Sequence, residues 1–190
     1  MYHNYYYPNP YHSNQYTPMY PAQHMQSPYH TTQTPYSYWG TPPAHGSHYP
    51  HPMIPLKDYG PAPYVVNIEQ ATVQNKTFRT ALWTGKKFQV TLMSINPGDD
   101  IGLEMHPNVD QFIRIEEGQG LVMMGARKDK LDFQKNVSDD FAIIIPAGHW
   151  HNLINTGHTP LKLYSIYAPP NHPRGTVHKT KAEAEAAEHY

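Results

Sequence analysis

Gly98-Asp99-Asp100-Ile101-Gly102-Leu103-Glu104-Met105-His106-Pro107-Asn108-Val109-Asp110-Gln111 runs on through Phe112-Ile113-Arg114-Ile115-Glu116-Glu117 to Gly118. A second stretch, Pro146-Ala147-Gly148-His149-Trp150-His151-Asn152-Leu153-Ile154-Asn155, follows it. Glu104 and His106 stand two apart, so on a strand both side chains face the same side. His151 belongs to a later strand, reached through a Pro-x-Gly turn. Two strands that converge in a small barrel bring a carboxylate and imidazoles onto one rigid wall, an arrangement that can hold a divalent metal ion.

Outward from these stretches the chain keeps the same texture. Phe88, Val90 and Leu92 alternate with Gln89 and Thr91, and Leu161, Leu163 and Ser165 alternate with Lys162 and Tyr164. Such alternation predicts half-buried strands. Further strands are expected over Val65–Ile68, Phe78–Trp83, Ile101–His106, Gln111–Glu116, Leu121–Gly125, Phe141–Ile145 and His151–Asn155. Turn chemistry separates them at Asn96-Pro97-Gly98-Asp99, Glu117-Gly118-Gln119-Gly120, Pro146-Ala147-Gly148 and Asn155-Thr156-Gly157. Many short strands with no long helical pattern between them predict an all-β domain, an antiparallel sandwich or barrel. A single short helix is expected, over Lys179–Glu188. Glu116 and Glu117, at the end of a strand, read as solvated.

Residues 1–56 are a different material. They hold 11 of the 20 prolines, 11 of the 16 tyrosines and 7 of the 14 histidines, and the first charged side chain is Lys57. Almost no branched aliphatic residue is present to form a core that offsets backbone entropy, so a disordered tail is expected. The expected organisation is a low-complexity tail over 1–60, a β-barrel domain over 61–172 and a C-terminal extension with a short helix over 173–190. The polar segment His172–His178 reads as a surface strap. Because the tail is rich in tyrosine and formally uncharged at neutral pH, self-association that weakens as its histidines protonate is expected.

Charge and composition exclude several classes. A formal net charge of −1 offers no basic field for nucleic acid. The absence of cysteine excludes a disulfide framework, a thiolate zinc site and a cysteine nucleophile. No apolar run is long enough for a membrane helix, and no signal-peptide pattern opens the chain, so cytoplasmic synthesis is expected.

At the two opening stretches the sequence resembles the cupin family. The family's first motif is Gly, five residues, His-x-His, three or four residues, Glu, six residues, Gly; Gly98, the pair 104 and 106, position 111 and Gly118 fall on that spacing. Its second motif, Pro-x-Gly-x-x-His-x-x-x-Asn, is met in full by Pro146, Gly148, His151 and Asn155. The resemblance implies a double-stranded β-helix, or jelly-roll barrel, with Glu104, His106, Gln111 and His151 as ligands of manganese, iron or zinc. Two positions depart from the pattern: Glu104 replaces a histidine and Gln111 replaces a glutamate. One carboxylate therefore remains, moved from the third ligand position to the first. Asp110 is the alternative ligand to Gln111, while His149 and Asn155 are expected to shape the turn or support the ligands.

Two functions follow as expectations. The first is a metal-dependent cupin, by resemblance an isomerase or dioxygenase similar to mannose-6-phosphate-isomerase-like cupins. Its small-molecule ligand in the barrel would be a sugar or a carboxylate-containing metabolite. The second is a non-catalytic component of an assembly, because the tail resembles Tyr/Pro/His-rich segments of bacterial spore-coat proteins. A homodimer is the expected assembly, with coat-protein contacts through the tail under the second reading.

Overall fold

A computed structural model describes residues 52–188, and the readings of the tail as disordered or self-associating fall on residues outside that range. In chain order the elements are α1 (Ile68–Gln74), β1 (Arg79–Thr84), β2 (Gln89–Ile95), β3 (Asp110–Glu117), β4 (Gln119–Gly125), β5 (Phe133–Ser138), β6 (Ala142–Ile145), β7 (Trp150–Asn155), β8 (Leu161–Ala168), β9 (Val177–His178) and α2 (Lys181–Glu188). Six strands form one sheet in the order β6-β3-β8-β2-β1-β9, and three form a second in the order β5-β4-β7. Neighbouring strands run antiparallel. The all-β jelly-roll expectation holds.

The main core lies between the two sheets. Met93, Ile95, Ile113, Ile115, Leu161 and Leu163 come from the larger sheet and meet Val122, Val137 and Leu153 from the smaller. In β3 the alternation works as the sequence suggests, with Gln111, Ile113 and Ile115 buried between half-exposed neighbours. Each fully buried aliphatic side chain of this kind contributes about 1.5–3 kcal/mol relative to exposure. Gly118 turns β3 into β4 at φ 98, and a Cβ there would stand 3.1 Å from the Leu161 backbone. Glycine is therefore required at that turn both by conformation and by space.

The alternation in β2 has the opposite sense from its hydrophobicity. Gln89, Thr91 and Met93 pair with Tyr167, Ser165 and Leu163 of β8, and all six are essentially buried. Leu92 and Val90 instead point to the outer face of the sheet, into a second apolar cluster with Leu82, Ala71, Ile54, Leu56, Tyr64 and Val66. The segment before β1 thus covers the outside of the larger sheet, and polar side chains line part of its inside.

Three sequence expectations are corrected. Val65–Ile68 is not a strand. Asn67 caps α1 by accepting the Gln70 amide at 3.0 Å, which starts a helix that buries Ala71 and Thr72. Ile101–His106 is not a regular strand either. Gly102, at φ 93, interrupts it, leaving isolated bridges between Asp100 and Ile154 and between Glu104 and His151. Glu116 is not solvated: its side chain is 6% exposed against Arg114, whose Nε is 3.1 Å from Glu116 Oε1, and burial raises its carboxyl pKa despite that cation. Strands β5 and β9 escaped the sequence reading, because β5 is exposed at five of its six positions and β9 is two residues long.

The chain after β8 returns across the end of the barrel. β9 pairs with β1, and Ala184 of α2 joins the main core. No helix among the described residues is long and apolar enough to cross a membrane.

Candidate metal centre

Glu104 and His151 are held opposite each other by two backbone hydrogen bonds, Glu104 N to His151 O at 3.1 Å and His151 N to Glu104 O at 2.9 Å. Their side chains turn inward together. Glu104 Oε1 lies 3.3 Å from His151 Nε2 and 3.3 Å from His106 Nε2. One donor atom from each of the three residues lies within 4.8 Å of the others. Two ligands about 2.1 Å from a common ion, at tetrahedral or octahedral angles, are separated by about 3.0–3.4 Å, so these spacings suit a shared cation.

The His151 ring is oriented by its own turn. His151 Nδ1 is 3.0 Å from the carbonyl of His149. A carbonyl only accepts, so Nδ1 carries the proton and Nε2 presents its lone pair to the cluster. The turn bearing His149 is fixed from two sides: Gly148 N donates to His106 O at 2.8 Å, and Ala147 N donates to Asp110 Oδ1 at 2.9 Å. Asp110 is exposed, and that oxygen is occupied in tying the turn to β3. His149 acts on the cluster through its carbonyl. Asn155 supports a different turn, donating to Ile95 O and Thr159 O and accepting from Gly157 N, each at 2.8 Å.

Gln111 is fully inside the barrel, and its Nε2 donates to Ser165 Oγ at 3.0 Å. Its Oε1 is left without a hydrogen-bond partner, as are Glu104 Oε1, His106 Nε2 and His151 Nε2, all buried. A buried polar atom without a partner costs about 1–3 kcal/mol. Here four such atoms belong to the four residues that the motif spacing selects. Two imidazole nitrogens and one carboxylate oxygen, those of His106, His151 and Glu104, form a donor set suited to a divalent first-row ion. Burial opposes ionisation of Glu104, but the contacts with His106 and His151 outweigh it and hold the carboxyl at about 2. The single carboxylate is therefore anionic at neutral pH.

A cleft of about 390 Å³ leads to this cluster, lined by Glu104, His106, Asn171, His172, Thr176 and His178. Tyr167, fully buried, sets its ring edge-on to His106 at 5.7 Å and to His172 at 5.0 Å. Gln89 grips the backbone of His172 at both ends of its amide, donating to the His172 carbonyl and accepting from the His172 N–H, each at 3.0 Å. Burial, and then the Arg79 charge, push the His172 imidazole down to about 3. The strap at His172–His178 is thus a wall of the cleft. Gln89, Ser165 and Arg79 escaped the sequence reading as site residues; the visible signal was a buried-face polar residue beside apolar ones, as with Gln89 and Thr91 beside Met93 in β2 and Ser165 beside Leu163 in β8. A separate hollow of about 240 Å³, lined by Tyr64, Val66, Leu82, Trp83, Phe88 and Val90, lies in the outer apolar cluster and carries no carboxylate or imidazole.

Residues 91–167 match the model of the family described as the cupin domain. Over 133 residues the chain is 75% identical to YrkC of Bacillus subtilis strain 168, an uncharacterised protein, covering 70% of this chain and 72% of that one. The chain is a cupin. A protein of Bacillus halodurans with a known crystal structure is 67% identical, with a TM-score of 0.68 over 68% of this cupin and 98% of its own chain. An uncharacterised protein of Acanthamoeba polyphaga mimivirus is 42% identical over 115 residues, which is 60% of this cupin and 70% of that protein. Cupins commonly hold a metal ion inside the barrel, and the Glu104, His106 and His151 group of this cupin could hold one.

Proposed function

We propose that this cupin binds one divalent metal ion through Glu104, His106, Gln111 and His151 and acts through it on a small molecule admitted by the cleft. The observation that carries this reading is the meeting of motif and geometry. The four residues chosen by spacing are among those with a buried polar atom that has no hydrogen-bond partner, and Glu104, His106 and His151 also lie close enough to share one ion. When bound, such an ion supplies Lewis-acid polarisation of a ligand oxygen or activates a water molecule.

The chain's own contributions are positional. The His149 carbonyl sets the tautomer of His151, and Ser165 takes up the Gln111 amide N–H so that its oxygen is the free end. Glu104 brings the one first-rank negative charge. Tyr167 backs the His106 ring, and the strap forms one wall of the cleft. Isomerisation and oxygenation both remain compatible with an ion that faces a cleft.

The test is metal content after purification without an affinity tag. The full chain should retain about one equivalent more manganese, iron or zinc than its His106→Ala/His151→Ala variant. Both proteins carry the same tail histidines, so the difference reports the barrel site. Equal content in the two overturns the reading.

A further inference from the structure

The segment before β1 seals Leu82 and Leu92 on the outer face of the larger sheet but leaves the next row of that face open. The register places Ile144 of β6 opposite Phe112 of β3, and Phe112 opposite Ile166 of β8. It continues with Ile166 opposite Val90 of β2 and Val90 opposite Trp83 of β1. Residues directly opposite each other share a face, so these side chains form one apolar row across the sheet. Ile144 is 70% exposed and the other four are half-buried. Single exposed apolar residues are ordinary, whereas an unbroken row is a contiguous patch, the mark of a contact surface.

The two ends of the row have opposite relief. At one end Ile144 stands out from β6, the edge strand of the sheet. At the other the hollow of about 240 Å³ opens among Tyr64, Val66, Trp83, Phe88 and Val90, where the Trp83 and Phe88 rings stack at 4.7 Å. β8 lies midway, two strands from β6 and two from β1. A two-fold axis parallel to β8 and passing over Ile166 reverses the row. It sets each Ile144 over the hollow of the other copy, Phe112 over Val90, and Ile166 over its own equivalent.

Charge fits the same operation. Beyond Phe112, the next β3 residue on this face is Asp110, exposed and opposite Ala168. At that level on the β2 side of β8 lies the turn ending at Phe88, with Lys86 and Lys87 exposed. The axis brings the acidic flank of each copy to the basic flank of the other. On the opposite flank of the row Arg114 is already paired with Glu116 and Asp140.

We propose that two copies of this chain pair face to face through this row, in an isologous interface centred on Ile166 with each Ile144 seated in the hollow of the other copy. The chain supplies both halves of the fit, so the occupant of the hollow is a second copy of itself. Pairing along the β6 edge is the weaker alternative, because a strand of four residues offers few backbone hydrogen bonds. The interface lies outside the sheet and the candidate ligands lie inside the barrel, so it does not depend on the metal.

Sedimentation equilibrium on the full chain over a concentration series reads the assembly. Wild type should be a dimer. Ile144→Asp, at an exposed position, should weaken dimerisation at least tenfold, because it places a carboxylate in an apolar hollow. Lys86→Glu combined with Lys87→Glu should weaken it severalfold, with the difference shrinking in high salt. Crosslinking reads the geometry, since the chain has no cysteine. Ile144→Cys and Val65→Cys proteins are mixed, left to exchange and treated with a short bismaleimide; Val65 is 96% exposed, between Tyr64 and Val66 of the hollow. The mixture should give a crosslinked pair containing one of each. Ile144→Cys alone should give none, because its two copies would stand roughly 19 Å apart, four strand spacings. A monomeric wild type overturns the proposal. A dimer unaffected by Ile144→Asp also overturns it and puts the contact elsewhere, the tail included. Absence of the mixed crosslink contradicts the geometry, as does crosslinking of Ile144→Cys to itself, the result expected of pairing along the β6 edge.

Discussion

Glu104 and His151 form a reciprocal pair, joined by two backbone hydrogen bonds of 3.1 and 2.9 Å and by a side-chain approach of 3.3 Å. Neither lies in a continuous ladder with the other; a single bridge aligns them. The local backbone therefore sets the distance between the only first-rank carboxylate and the most buried imidazole. Replacing either changes the donor set without removing a strand pairing.

His151→Ala and His106→Ala should each lower metal affinity by more than a hundredfold, and Glu104→Gln should be comparably severe because it removes the site's formal charge. Gln111→Ala should cost about tenfold, since a neutral amide oxygen is the weakest donor of the four. Ser165→Ala, which acts only through Gln111, should cost no more than Gln111→Ala, about tenfold at most. Competition against a chromogenic chelator measures all five. A Gln111→Ala loss larger than that of His151→Ala would contradict the assigned ranking.

Metal should stabilise the fold by linkage. At a free metal concentration 100 times the dissociation constant the gain is about 2.7 kcal/mol. A domain of this size responds with about 2–6 °C in Tm per kcal/mol, so chelation should lower Tm by roughly 5–15 °C. Differential scanning calorimetry with and without EDTA gives the comparison. An unchanged Tm in wild type, under conditions where metal content has fallen, contradicts a buried site.

Gln89 makes three side-chain hydrogen bonds, two to the His172 backbone and one from Nε2 to Thr84 Oγ1 at 2.9 Å. Gln89→Leu should release the strap while keeping a β2 residue of similar volume. The expected cost is about 1–3 kcal/mol, from buried groups left without partners. Trypsin should then cut faster after Arg174 or Lys179 than in wild type. Equal cleavage rates would show that the strap is held by other contacts, such as Asp58 Oδ2 accepting from Gly175 N at 2.9 Å.

Acidification should weaken the metal-free fold through His172. Its folded pKa, about 3, lies below the ordinary value of 6.5. Between those values the unfolded chain binds the extra proton and the folded chain does not, so stability falls as pH drops through that window. The slope attributable to this residue is at most about 1.4 kcal/mol per pH unit. Asp58 acts in the same direction at lower pH. Hydrogen bonds from Thr84, Gly175 and Gly60 outweigh its partial burial and hold its carboxyl below the usual range, and that stabilisation is lost as the carboxylate protonates. Urea melts of wild type and His172→Phe from pH 7 to about pH 2.5 separate the two, because the variant should lose the slope between about pH 6.5 and 4 and keep that below about pH 4, where Asp58 titrates.

The jelly roll and the grouping of Glu104, His106 and His151 were legible in the sequence because both depend on local spacing. Turn residues such as Gly118 and Gly148 declare themselves, and Pro146 to Asn155 is an uninterrupted motif. What stayed hidden depends on which face of a strand looks inward. Phe88, Val90 and Leu92 suggested an inward apolar face, whereas the inward residues are Gln89 and Thr91; apolarity on the outside is satisfied by the segment from Ile54 to Ile68. Asn67 masked the helix start, because Val65 and Val66 before it have strand character but no partner strand. Ser165 and His172 gained their meaning only from residues far away in the chain, Gln111 and Gln89.

The central claim is that Glu104, His106, Gln111 and His151 surround one metal ion. Anomalous diffraction from crystals of the full chain grown with manganese, recorded with a long-wavelength beam, tests it most directly. The account predicts one strong anomalous peak within about 2.0–2.3 Å of Glu104 Oε1, His106 Nε2 and His151 Nε2, with Gln111 Oε1 as the fourth protein donor. A manganese-loaded crystal with no peak among these atoms, or with its strongest peak elsewhere on the barrel, would contradict it.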